Sequence, residues 1–163
     1  MKTTVKMAAL ALSLIATAAS AQAVRTEKNM SLELANQIAA ATVAACAANN
    51  YNVTAAVVDR AGTLRALQRA DNAGPHTVGA AQGKAFTSAS ARANTTAMLE
   101  NVQKNPGAQT LVDIPGFLVL GGGVPVRVGN EVIGAVGVGG APGGHLDEQC
   151  ANAGIAKVAD LLK

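Results

Sequence analysis

Between residues 31 and 50 the apolar side chains Leu34, Ile38, Ala41 and Ala45 fall at three- and four-residue spacing, which predicts a helix. Ser31 suits its N-cap, Glu33 its first turn and Asn49-Asn50 its stop. Residues 53–59 (VTAAVVD) then run uniformly apolar up to Asp59, the pattern of a buried strand. Arg60-Ala61-Gly62 turns the chain, and residues 63–69 (TLRALQR) alternate Leu64, Ala66 and Gln68 against Arg65, Leu67 and Arg69, giving a hairpin. Asp71-Asn72-Ala73-Gly74-Pro75 interrupts the pattern before a second helix, starting at Pro75 or His76 and running through Arg92. Its Gly79, Ala80, Gly83 and Thr87 form a small face suited to close packing against a sheet or a second subunit. Asn94 is placed to cap a short helix through Gln103, and a Pro/Gly-punctuated loop spans 105–116. Residues 117–120, 124–128 (VPVRV) and 131–138 (EVIGAVGV) are short apolar strands, the last two joined at Gly129-Asn130. A final helix over 145–162 places Ala151, Ile155, Val158 and Leu162 on one face. The order α-β-β-α-α-β-β-β-α joins five strands mainly by hairpins, so the predicted fold is an α+β domain with an antiparallel sheet covered by helices.

The first 23 residues stand apart. Lys2 and Lys6 precede an uncharged apolar run over residues 7–19, followed by the small-x-small triplets Ala19-Ser20-Ala21 and Ala21-Gln22-Ala23. This is the layout of a secretory signal peptide, and the run is too short for a stable membrane anchor. Export to the periplasm or the medium is expected, leaving a single domain over 24–163, with no membrane association after cleavage. Removing Lys2 and Lys6 from the 13 Lys+Arg leaves 11 cations against 10 acids, a net charge of +1. The remaining charges are interspersed, and Tyr51, Phe86 and Phe117 are the only aromatic residues. A nucleic-acid groove needs clustered cations and usually stacking rings, so that class of partner is excluded. The core must instead come from Ala, Val, Leu and Ile, which lets elements approach closely.

Ten of the 17 glycines fall between Gly121 and His145, yet the phosphate-binding motifs are missing. No GxxxxGK[ST] occurs, and after Gly137-Val138-Gly139 the third glycine position of a dinucleotide fingerprint holds Pro142. These glycines read better as bends, a hairpin turn and a thinned central strand, with a weaker anion nest open to residues 139–145 at the start of the last helix. GxSxG and HExxH motifs are also absent. With His76 and His145 the only histidines, a three-histidine metal site within one chain is excluded. Each histidine remains either an iron ligand or a residue of a helix's first turn. Lys84, alone in a small-residue helix, is either solvated or at a pocket mouth with a carboxylate partner. Cys46 and Cys150 are too far apart in sequence for a CxxC motif; in an oxidising compartment they are either bridged or free.

AVVDRAGTLRALQRADNA, GKAFTSA, GGGVPVRVGNEVIGAVGVGGA and HLDEQCANAG occur in an order that resembles the GlcG/HbpS family of small haem-binding-type domains, related to the C-terminal domain of cobalamin-associated proteins. The resemblance spans nearly the whole chain after the signal segment. It implies a five-stranded antiparallel sheet flanked by helices in a profilin-like, α-β-α arrangement, and a tendency to form homo-oligomers. Arg69, Asp71 and Ala73 match the family's R-x-D-x-A element, Lys84-Ala85 its K-A, and Asp147 its aspartate near the start of the last helix. Ala70 stands where the family has methionine, and Gly139 where it often has serine. In that fold the end of the first helix approaches the start of the last, which implies a disulfide between Cys46 and Cys150.

The first function implied is an exported binding protein for haem or a related tetrapyrrole. His76 is its candidate iron ligand, Lys84 and Arg69 are candidate partners for propionates, and Asp71 and His145 are further candidates for ligand contact. A second reading is an enzyme or catalytic accessory acting on a small hydroxy or carbonyl acid, with Asp71 and Lys84 as acid and base. A third is a structural homo-oligomer without a ligand, packed through Gly79 and Gly83.

Overall fold

A computed structural model describes residues 23–163, so the apolar run of the expected signal peptide lies outside the described residues. Two hairpins build the sheet: β1 (Thr54–Asp59) with β2 (Leu64–Arg69), and β3 (Gly123–Val128) with β4 (Glu131–Gly139). β1 and β4 pair in the middle, giving the order β2-β1-β4-β3 with every pairing antiparallel. The α+β class is as expected, but the sheet has four strands and not five. Residues 117–120, expected as a strand, have no ladder partner. Side-chain hydroxyls take the backbone groups that a ladder would use: Leu118 N–H donates to Thr87 Oγ1 at 2.7 Å, and Thr95 Oγ1 donates to the Leu120 carbonyl at 2.8 Å.

Helices cover both faces. α1 (Leu32–Ala47) starts where Ser31 Oγ accepts the Leu34 N–H, and it lies beside α4 (Gly144–Lys157) on one face. Ile38, Ala39 and Cys46 of α1 and Cys150 and Ala151 of α4 share a core with Val57, Val136 and Val138. α2 (His76–Ala91) covers the opposite face, where Ala85 and Ala89 meet Val58 and Ala135. α3 (Thr95–Lys104) follows, and the expected loop after it contains a 3-10 helix, Pro106–Asp113. Asn94 makes no side-chain cap for α3; its amide donates to Glu148 Oε1 at 2.7 Å and ties the helix to α4. The last helix is shorter than its apolar stripe predicts, ending at Lys157 before a 3-10 turn, Ala159–Leu161. Among the described residues no helix is long and apolar enough to cross a membrane.

The closeness of α2 to the sheet comes from β4 rather than from the helix's own glycines. A Cβ at Gly137 would lie 2.1 Å from the Ala81 carbonyl oxygen and 2.5 Å from the Ala85 amide nitrogen, whereas one at Gly79 meets nothing within 4 Å. Gly137→Ala therefore forces backbone apart and is expected to destabilise by about 1–3 kcal/mol. Gly79→Ala, on an exposed helical position, is expected to stabilise by about 0.5–1 kcal/mol. Urea unfolding of both variants checks the contrast, and equal effects would sink it.

Candidate functional site

α2 and α4 begin on the same side of the molecule, and a cleft of about 600 Å³ opens between their first turns. The segment 139–144 leaving β4 forms one wall, and Tyr51 with its neighbours Asn50 and Asn52 forms another. At the floor lies an ion pair. Lys84 reaches across from α2 so that its Nζ donates to Asp147 Oδ2 at 2.7 Å and to the Val138 carbonyl at 2.8 Å. The other oxygen of Asp147, Oδ1, accepts the Ala141 N–H at 3.0 Å. Lys84 is 2 % and Asp147 3 % exposed. Burial pushes the Asp147 carboxyl above its ordinary value; the hydrogen bond and charge of Lys84 and the Ala141 amide oppose that shift without cancelling it.

The glycine-rich entry to β3 makes room for this pair. Gly122 has φ +119, and a Cβ there would lie 2.7 Å from the Asp147 Cβ and 3.1 Å from Lys84 Nζ. His76 stands exposed at the cleft's rim on the first turn of α2. Its ring folds back over Gly74, where a Cβ would come within 2.7 Å of Cε1. Behind the cleft Cys46 and Cys150 form a disulfide, their Cα atoms 5.2 Å apart, joining the end of α1 to α4 one turn after Asp147. Tyr51 lines both the cleft and a smaller hollow against Cys150.

Of the candidate ligand residues, the structure brings His76 and Lys84 to one cavity and leaves the others outside its lining. The Arg69 guanidinium bonds to the Ala73 carbonyl and is not free in the cleft. Asp71 is exposed, and the carboxylate that meets Lys84 is Asp147, so the Asp71–Lys84 acid/base pair does not form. His145 is exposed on the first turn of α4 beside Gly143, outside the lining. Among the described residues no group of three or more His, Cys, Asp or Glu side chains is placed to hold a metal ion. Tyr51, Asn50 and Asn52 carry no signal of a site role in the sequence, where Asn50 reads as a helix stop and a short polar loop has no periodicity to mark it. Asp147 carried a signal as the acid in the first turn of α4, but nothing local distinguishes its role from that of a helix-dipole partner.

These features define a small α+β domain with a cleft at the meeting point of two helix starts. The chain belongs to the HbpS-like family, whose model, described as "Haem degrading protein HbpS-like", matches residues 30–156. Protein GlcG of Escherichia coli K12 is 40 % identical over 114 residues, covering 70 % of this chain and 84 % of that protein. A double mutant of HbpS from Streptomyces reticuli superimposes with a TM-score of 0.79 at 38 % identity, covering 93 % of this chain and 99 % of the other. ORFY of Klebsiella pneumoniae gives a TM-score of 0.79 at 28 % identity, covering 84 % and 95 %.

Proposed function

We propose that this chain is an exported binding protein for haem or a related tetrapyrrole, held in the cleft between α2 and α4 with His76 as iron ligand. The single observation that carries it is a histidine exposed at the rim of a cleft of about 600 Å³, within the range of about 300–1,000 Å³ usual for small-molecule sites. The residues present fit such a group. Tyr51, Leu120 and Pro142 offer wall surface for a flat ring system, and the asparagines and the Lys84 floor offer polar contact. The family description as haem degrading points the same way. A bound haem would supply an iron centre, and the chain's own part is to seat it and shield one face. The Lys2/Lys6 segment and a disulfide, which persists in oxidising compartments, support export. Self-association belongs to the same proposal, through the solvent-facing groove lined by Leu64, Gly79, Gly83 and Phe86.

Titration of the protein over residues 24–163 with haemin tests the reading. A saturable Soret shift is expected, weakened about tenfold or more in His76→Ala, as loss of a metal ligand should do. The same titration with His145→Ala is expected to match the unsubstituted protein. Absence of a saturable shift rejects haem binding, and an unchanged shift in His76→Ala rejects that histidine as ligand.

A further inference from the structure

We infer that the floor of the cleft is a carboxylate subsite, with the Lys84 ammonium as its principal donor. This deepens the proposed function, because it rests on the cleft being a ligand site and names the ligand group that reaches its closed end. An ammonium has three N–H donors. Two of the three on Lys84 are taken, by Asp147 Oδ2 and by the Val138 carbonyl. The third has no acceptor among the described residues, on a side chain only 2 % exposed that lines the cleft. That donor is open to an acceptor in the cleft, water when the site is empty and a ligand oxygen when it is filled.

The surroundings favour an anionic acceptor over a neutral one. Gly143 and Gly144 line the same end of the cleft, and their amides donate to no acceptor among the described residues. α4 has no side-chain cap there, and the one acid of its first turn, Asp147, is turned to Lys84 and the Ala141 N–H. α2 likewise starts without a side-chain cap on the cleft's other side. Both Asp147 oxygens are already engaged, one by Lys84 and one by Ala141, so its charge is balanced from within the protein. An incoming carboxylate then meets one ammonium N–H and two backbone N–H groups, a donor set that fits two oxygens. Arg69, the other cation considered for this role, is tied to Ala73 outside the cleft. The subsite accordingly takes one carboxylate and leaves any second one at the mouth.

Sodium propionate, the smallest probe bearing the group, tests this independently of haem. In ¹⁵N–¹H spectra it is expected to shift the Gly143 and Gly144 amides and the Lys84 ammonium saturably, while propionamide and sodium chloride do not. The double variant Lys84→Met/Asp147→Leu, which keeps the floor filled without charge, is expected to lose the response. No saturable shift, equal shifts with propionamide, or a response that survives in the double variant would each overturn the subsite. With haemin, conversion of both propionates to methyl esters is expected to weaken binding about tenfold or more, the worth of one charge-assisted hydrogen bond. Equal binding of haemin and its diester rejects the subsite while leaving haem binding intact. A saturable propionate response without any haemin binding rejects haem and leaves the subsite standing.

Discussion

Near pH ~7.5, Lys84→Met is expected to lower the unfolding free energy by about 3–5 kcal/mol, the cost of breaking a buried ion pair by removing one partner. Asp147 would keep only the Ala141 amide, in a site whose burial already raises its pKa. The pH dependence follows from that direction. In the unfolded chain an aspartate titrates near about 3.9, and in the folded chain Asp147 holds its proton to higher pH. Its contribution to stability is thus fully present below the unfolded value and fades as pH rises through the folded one. Replacing Lys84 removes two influences that lower the folded pKa, so the window of loss extends further upward. The deficit of Lys84→Met against the unsubstituted protein should be small near pH ~4.5 and grow towards pH ~7.5. Urea unfolding at the two pH values measures it, and equal deficits would sink the assignment of the effect to Asp147. Lys84→Met/Asp147→Leu should recover most of the stability at both, since an apolar pair of similar volume leaves no charge buried alone.

Lys84 also shows what a sequence can and cannot disclose about such a site. A lone lysine in a helix rich in Gly, Ala, Ser and Thr stands out as either solvated or paired, and only its burial makes a carboxylate partner follow. Which carboxylate does not follow. Asp71 lies 13 positions away and Asp147 lies 63, yet packing of α4 against the sheet selects the distant one. The histidines pose the same problem: each sits in a helix's first turn two residues after a glycine, and only the placement of the cleft separates His76 from His145. Local chemistry was the legible part. Arg60-Ala61-Gly62 and Gly129-Asn130 turn where their residue types demand, and Ser31 caps the helix it precedes. The apolar run 117–120 has the composition of a strand, but Thr87 and Thr95 compete for its backbone, and neither lies near it in sequence. The hairpin order of the elements supplied the class of fold, and the family resemblance brought the ends of α1 and α4 together; strand count and ion pairing depended on contacts particular to this chain.

Replacing Cys46 and Cys150 together with alanine is expected to cost about 2–5 kcal/mol. The bridge closes a loop between residues 104 positions apart, and closure of a long loop removes the most freedom from the unfolded chain. The helices it joins are also held by ordinary packing. Ile38 and Ala39 of α1 share a core with Ala151 of α4, and at Gly154 the helices come so close that a Cβ would lie 2.8 Å from Thr42 Cα. Loss of the bridge should therefore leave the native helix contact in place and act mainly on the unfolded state. That distinction is measurable: the urea midpoint should fall while the denaturant slope rises, because an unbridged chain exposes more surface when it unfolds. An unchanged slope with weakened packing would mean that the bridge instead holds α4 in position. The cleft separates these outcomes a second time. Cys150 follows Asp147 by three residues, so a bridge needed to position α4 would also loosen the Lys84–Asp147 pair when removed. If the effect lies in the unfolded chain, the folded double variant should give haemin and propionate responses matching the bridged protein. A loss of stability below about 1 kcal/mol, well short of the ~4.7 kcal/mol that closure of a loop of about 100 residues predicts, would count against the unfolded-chain account.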